Sequence, residues 1–212
     1  MRIVKTTPEG IASIERMQLL PEQCRPRRIV VNDDSASYDF VVGVEPTWRE
    51  VHDTAAAWLW GSGFGPVDKS DVEVYKEYVI QKSRPLGLYG IMDDLLCRLR
   101  ASDLHHADFC HHDLTLKNCV KTPRGVVFLD PGVSRGLDCI EIDEAKLLQS
   151  LDGFDCVYLG HPSPPAYPRM CVRRCHYILL ATHYIRLLHH VKDAAACSFA
   201  RRRIMEIHGL CA

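Results

Sequence analysis

The sequence predicts an α+β fold in two lobes, a small sheet-containing N-lobe and a helical C-lobe. Three observations lead there. Short strand-like and helical segments alternate up to about residue 82, and helix-periodic apolar residues dominate after residue 140. Between these regions, Ser83-Arg84-Pro85-Leu86-Gly87 supplies the proline and glycine of a bend. The expected division is 1–82 as N-lobe, 83–87 as hinge and 88–212 as C-lobe. A chain of 212 residues, 47% apolar and 25% charged, has ordinary globular composition and can bury cores of that size.

The elements follow in order. Thr7-Pro8 reads as an N-cap with proline at the first helical position, opening a helix that carries Ile11, Ile14 and Leu19-Leu20. Arg27–Val31 and Tyr38–Val44 read as strands around the polar turn Asn32–Ser37. Thr47-Trp48-Arg49-Glu50 has the form of a capping box; the helix behind it has Trp48, Val51, Ala55, Trp58 and Leu59 on one face. Gly61, Gly63 and Gly65-Pro66 end that helix. The run VEVYKEYVIQK, residues 72–82, is rich in β-branched and aromatic residues and is predicted as a strand or tight hairpin. Leu88, Ile91, Leu95 and Leu99 recur at helical spacing, and Val126–Leu129 is a short apolar strand. Helices are predicted over 141–151, 170–191 and 194–208, with the loop HPSPPAYP at 161–168. Tyr177, Leu180, Tyr184 and Leu187 form a core stripe.

Charge and cysteine usage exclude several classes of function. Lys plus Arg is 26 against 27 Asp plus Glu, so the strongly basic footprint of a duplex-binding protein is absent. No apolar run reaches membrane-spanning length, and MRIVKTTPEG has no apolar signal core; no membrane partner and a cytoplasmic location are expected. The ten cysteines are scattered and read as reduced, buried hydrophobes. Cys171, Cys175 and His176 have one metal-like spacing but lack a second ligand pair. His105-His106 and His111-His112, with Asp108 and Asp113, form a histidine-rich patch whose adjacent rings cannot all face one ion. Arg173-Arg174 and Arg201-Arg202-Arg203 read as solvated helix faces, and His189-His190 as a helix end.

The chemistry-bearing stretch is His111-His112-Asp113-Leu114-Thr115-Leu116-Lys117-Asn118, followed by Val126-Val127-Phe128-Leu129-Asp130-Pro131-Gly132. Phosphoryl transfer to a hydroxyl needs each of these residue types. One carboxylate orients the hydroxyl and accepts its proton, a second holds magnesium, and an amide oxygen completes the coordination without adding charge. Only two asparagines occur in the chain, Asn32 and Asn118. A chance H-x-D-x-x-x-x-N is expected only about 0.01 times in such a composition. In the plainer alternative Asp113 is a cap and Asn118 a turn residue.

FCHHDLTLKN and VVFLDPG resemble the catalytic and metal-binding loops of protein-kinase-like phosphotransferases, above all the aminoglycoside and choline kinases and the RIO-like atypical kinases. DEAKLLQSL, residues 143–151, is similar to the helix after the metal loop in the small-molecule kinases, and the resemblance covers about residues 84–155. It implies a protein-kinase-like fold and an ATP- and Mg²⁺-dependent transfer to a hydroxyl-bearing acceptor, small molecule or protein. Asp113 would be the base, His111 the brace of its loop, and Asn118 and Asp130 the metal ligands. His112 stands where the family usually has Gly or Arg, and Pro131 where it has Phe. The N-lobe departs further. No G-x-G-x-x-G occurs, and no lysine lies between Lys5 and Lys69. One alignment makes Glu50 the glutamate that partners the phosphate-binding lysine. A second takes MRIVK as the lysine strand, with Lys5 on the phosphates and Glu15 or Glu22 as its partner; Arg27 or Arg28 are substitute cations. A catalytically inactive, kinase-like binding module is the alternative these departures leave open.

Overall fold

In the computed structural model, residues 1–61, 65–159 and 172–212 are described, and the chain forms two compact units, each assembled from two stretches. Met1–Phe64 and Ala107–Ser134 make the first; Gly65–His106 and Arg135–Ala212 make the second. The architecture is α+β. The segment 83–87 lies inside the second unit, where a 3₁₀ turn, Arg84–Leu86, joins two helices and Gly87 takes φ +70°.

The first unit opens with β1 (Arg2–Lys5), α1 (Pro8–Met17), β2 (Val30–Val31) and β3 (Ala36–Asp39). The strands form an antiparallel sheet in the order β1-β3-β2, with Arg2 opposite Asp39, Ile3 opposite Tyr38 and Lys5 opposite Ala36. Period-2 alternation buries Ala36 and Tyr38 on one face, with half-buried Ile3 and Lys5 beside them. The α1 helix packs on β3, seated by Ile14 and Met17. The Thr7 hydroxyl caps it, accepting from the Gly10 N–H at 3.2 Å. The strand expected over 38–44 begins two residues earlier and ends at Asp39.

The capping box of α2 (Trp48–Trp58) forms as expected: the Thr47 Oγ1 accepts from the Glu50 N–H and the Glu50 carboxylate from the Thr47 N–H. Val51, Ala55 and Leu59 are buried, whereas Trp58 is half-exposed. β4 (Cys119–Thr122) and β5 (Gly125–Phe128) complete the unit as an antiparallel hairpin. β4 has no counterpart among the strands expected from the sequence. Val44 exchanges backbone hydrogen bonds with Lys121, and Gly43 permits this docking, since a Cβ there would lie 2.2 Å from the Lys121 carbonyl oxygen.

The second unit consists of helices among its described residues: α3 (Lys69–Ser83), α4 (Tyr89–Leu96), α5 (Ile140–Leu151), α6 (Phe154–Leu159), α7 (Arg174–Leu188) and α8 (Ala194–Cys211). α3 corrects the strand expected at 72–82. Val72, Tyr75, Val79 and Ser83 are spaced three and four apart and are all buried, so helical packing overrides their β propensity. The Asp68 carboxylate caps the helix, accepting from the Ser70 N–H at 2.7 Å. α7 packs against α3, α4, α5 and α8 and is buried nearly all round from Ile178 to Ile185. The loop at 161–168 lies outside the described residues. No helix among them is long and apolar enough to cross a membrane.

Gly43→Ala is expected to destabilise the first unit by about 1–3 kcal/mol, the usual cost of forcing an added methyl into packed backbone. Urea denaturation of the variant against the parent measures it; an unchanged midpoint would contradict the close approach.

Candidate functional site

The hairpin β4–β5 positions the site. Its register pairs Cys119 with Phe128, and the Leu129 N–H donates to the Asn118 carbonyl at 2.8 Å, extending the pairing by one residue. Asn118 thus stands beside Leu129, with Asp130 the next residue. A 3₁₀ turn, Leu116–Asn118, folds the preceding loop back over this end. The Asn118 Nδ2 donates to the Asp113 backbone carbonyl at 2.8 Å and to the Asp113 Oδ2 at 2.7 Å. With its nitrogen committed to Asp113, the amide of Asn118 presents Oδ1 as its remaining acceptor.

His111 is tied into the loop from both its ring and its backbone. Its ring is fully buried and meets Phe128 edge-on, with centroids 6.0 Å apart. Its Nδ1 accepts from the Asp113 N–H at 3.3 Å, and its carbonyl accepts from the Gly132 N–H at 2.8 Å. That second bond ties the loop to the segment just after Asp130. His112 is buried at φ +61°, a left-handed conformation in which glycine costs least. Upstream, the Arg16 guanidinium of α1 donates to the Cys110 carbonyl at 2.7 Å and lies over the Phe109 ring.

Asp130 also has a left-handed backbone, φ +49°. Its Oδ2 lies 3.5 Å from the Lys5 Nζ. Its Oδ1 is buried without a hydrogen-bond partner, and an unsatisfied buried acceptor costs about 1–3 kcal/mol. An orphaned carboxylate oxygen is a donor suited to a hard divalent cation. Tyr38, buried in β3, was not anticipated as part of this neighbourhood. Its phenol is pushed up to about 12, chiefly by burial and further by the charge of Asp130. Strand alternation carried the signal for its burial, and nothing local carried the signal for Asp130.

Five of the six residues singled out for the site enter this cluster or reach it directly: Lys5, His111, Asp113, Asn118 and Asp130. Glu50 does not. It closes the α2 capping box and pairs with Lys121, which together with Thr47 holds its carboxyl down at about 2. The ion-pair partner of Lys5 is Asp130, rather than Glu50, Glu15 or Glu22. The other metal readings find rings already engaged. His105 Nδ1 lies 2.6 Å from the Glu141 carboxylate. His176 contacts Glu144 through Nε2 at 2.7 Å and accepts the Arg173 N–H through Nδ1 at 3.0 Å. Cys175 is buried with its thiol pushed up to about 11, which disfavours the thiolate a metal needs, and Cys171 lies outside the described residues.

Comparisons with protein-family models, with curated proteins and with solved structures found no match to this chain.

The Tyr38 phenol tests the geometry around Asp130. Asp130→Asn keeps a side chain that tolerates left-handed φ and removes the charge, so the Tyr38 pKa is expected to fall part of the way from about 12 toward 10; burial, the larger cause, remains. A folded pKa above the unfolded one contributes stability that is intact below pH ~10 and lost as pH rises from ~10 to ~12. Tyrosine-selective carbon NMR across that range reads both effects. An unmoved Tyr38 resonance in Asp130→Asn would show that the carboxylate does not face the phenol.

Proposed function

We propose that this protein is a protein-kinase-like phosphotransferase that uses ATP and Mg²⁺ to phosphorylate a hydroxyl on a small-molecule or protein acceptor. The observation that carries the proposal is the joining of Asp113, Asn118, Asp130 and Lys5 within one unit, with one carboxylate oxygen of Asp130 buried and unsatisfied. Each group then has a separate task.

Asp113 orients the acceptor hydroxyl and takes its proton; the Asn118 amide fixes the carboxylate through Oδ2. The Asp130 Oδ1 and the Asn118 Oδ1 would hold the magnesium ion. When bound, Mg²⁺ neutralises charge on the nucleotide phosphates and favours transfer. Lys5 supplies a partly exposed cation at the Asp130 Oδ2, available to a phosphate oxygen once it leaves the carboxylate. His111 contacts no reactant and acts by fixing the loop, through its ring nitrogen to Asp113 and its carbonyl to Gly132. Rate enhancement from such an arrangement comes from positioning and preorganised charge.

Thermal-shift titration with ATP, with and without Mg²⁺, tests the reading. A ligand at a hundredfold excess over Kd adds roughly 2.7 kcal/mol to the folded state. Wild type is expected to gain that stabilisation only with Mg²⁺, and Asp130→Asn to lose it. No shift in either protein would favour a binding module with no nucleotide, the reading that the missing glycine-rich loop supports.

Asp113→Ala is expected to cut phosphate transfer by roughly 100- to 10,000-fold while leaving nucleotide binding nearly intact. Radiolabelled transfer to an identified acceptor measures the first, and the thermal shift the second. Full turnover in Asp113→Ala would remove it as the base.

A further inference from the structure

A concavity of the first unit carries charge that the phosphotransfer reading does not use. Arg25, Arg27, Arg28 and Arg124, with Gln18 and Glu22, line a cavity of about 560 Å³. It adjoins a trough of about 400 Å³ that shares Arg27 and Arg124 and is walled by Phe40, Val41, Val42 and Pro123. Phe40 is 45% and Val42 77% exposed, so the trough presents apolar surface directly beside guanidinium groups.

These arginines cannot serve Asp130. Arg28 lies 3.7 Å from Asp39, which pairs with Arg2 at the opposite end of β1 from Lys5, about 10 Å away at 3.4 Å per residue. Arg124 sits in the turn of the β4–β5 hairpin, at the end away from Asn118 and Asp130. The sequence suggestion that Arg27 or Arg28 replaces a phosphate-binding lysine at the catalytic loop is therefore not met. Both hairpins place their arginines at the end opposite the proposed site.

The cavity holds an excess of positive charge. Four guanidiniums face two carboxylates, Glu22 and Asp39, and Asp39 is shared with Arg2. Arg27 and Arg124 have no ion pair among the described residues. Arg25 donates to the Gln18 carbonyl at 2.5 Å, and the exposed Arg28 side chain lies 3.7 Å from Asp39. Clustered guanidinium forks suit the oxygens of a phosphate dianion, which accepts several charge-assisted bonds at once. The neighbouring apolar wall suits an adjacent side chain, whereas a nucleic-acid strand would call for a series of stacking aromatics, and Phe40 is the one aromatic here.

We propose that this surface docks a phosphorylated peptide segment of a partner protein, with the phosphate ester among Arg25, Arg27, Arg28 and Arg124 and a flanking apolar residue in the Phe40–Val42 trough. The docking requires no phosphotransfer activity of this chain.

Fluorescence anisotropy tests it with a labelled phosphoserine peptide flanked by leucines, the same peptide with plain serine, free phosphoserine as competitor, and an oligo-dT strand. The phosphopeptide is expected to bind at least tenfold more tightly than the serine peptide, and free phosphoserine to compete only weakly. Replacing the two cations without an ion pair among the described residues (Arg27→Ala with Arg124→Ala) is expected to weaken phosphopeptide binding by roughly tenfold or more. Phe40→Ser should weaken the peptide several-fold without affecting free phosphoserine. Asp113→Ala should bind the peptide as wild type does, which separates this site from the catalytic one. Equal binding of the serine peptide, undiminished binding by the double variant, competition by free phosphoserine as strong as by the peptide, or preference for the oligonucleotide would each overturn the proposal.

Discussion

The backbone pairing between Asn118 and Leu129 is the constraint on which the site depends. An antiparallel register sums to a constant, so the pairing of Cys119 with Phe128 fixes Asn118 opposite Leu129 and brings Asp130 to the same end. A slip of one residue would turn every hairpin side chain to the other face. Val126, Val127 and Phe128 are all buried on alternate faces of β5, so such a slip would press each side chain into packing shaped for its neighbour. Hydrophobic burial thus sets the register, and the register sets the distance between the two chemistry-bearing segments. The Asn118 amide and the His111 carbonyl then tie both loops to that end.

Strain collects where the geometry is most demanding. His112 and Asp130 both hold left-handed backbones, a conformation that costs most non-glycine residues about 1–2 kcal/mol and His and Asp less. They flank the hydrogen bond between the His111 carbonyl and the Gly132 N–H, which holds the two segments against relaxation. The strain turns the chain sharply on either side of that bond, and the Asp130 carboxylate ends with one oxygen toward Lys5 and the other buried. Gly132 fits this approach, because a Cβ there would lie 3.1 Å from the His112 Cβ.

Local signals were readable in the sequence, and long-range ones were not. The H-x-D-x-x-x-x-N spacing needs only one loop to become geometry, and Asp113 and Asn118 do meet. Thr47 and Glu50 formed the capping box their spacing suggests, which is also why Glu50 is unavailable to Lys5. α3 was misread because Val72, Val74, Tyr75, Tyr78 and Val79 favour strands individually; their packing partners lie in α4 and α7, and the Asp68 cap was the overlooked local clue. β4 was missed because Lys121 and Thr122 mask a strand whose partner lies across a turn. The two units interleave along the chain, so no shift in composition marks their limits.

Magnitudes decide how the Lys5–Asp130 contact should be understood. At 3.5 Å, with both side chains about one-third exposed, the pair contributes on the order of 0–1 kcal/mol. It is therefore a poor candidate for a structural strut, and the sheet does not need it: β1 is already held by its register with β3 and by the Phe40 N–H donating to the Met1 carbonyl. A contact this weak gives way to any partner that satisfies both groups better. A divalent cation would satisfy the buried Asp130 oxygen, which Lys5 does not reach, and a phosphate would satisfy the released ammonium. The half-satisfied carboxylate beside a readily displaced cation is the feature on which the proposed magnesium and phosphate roles rest.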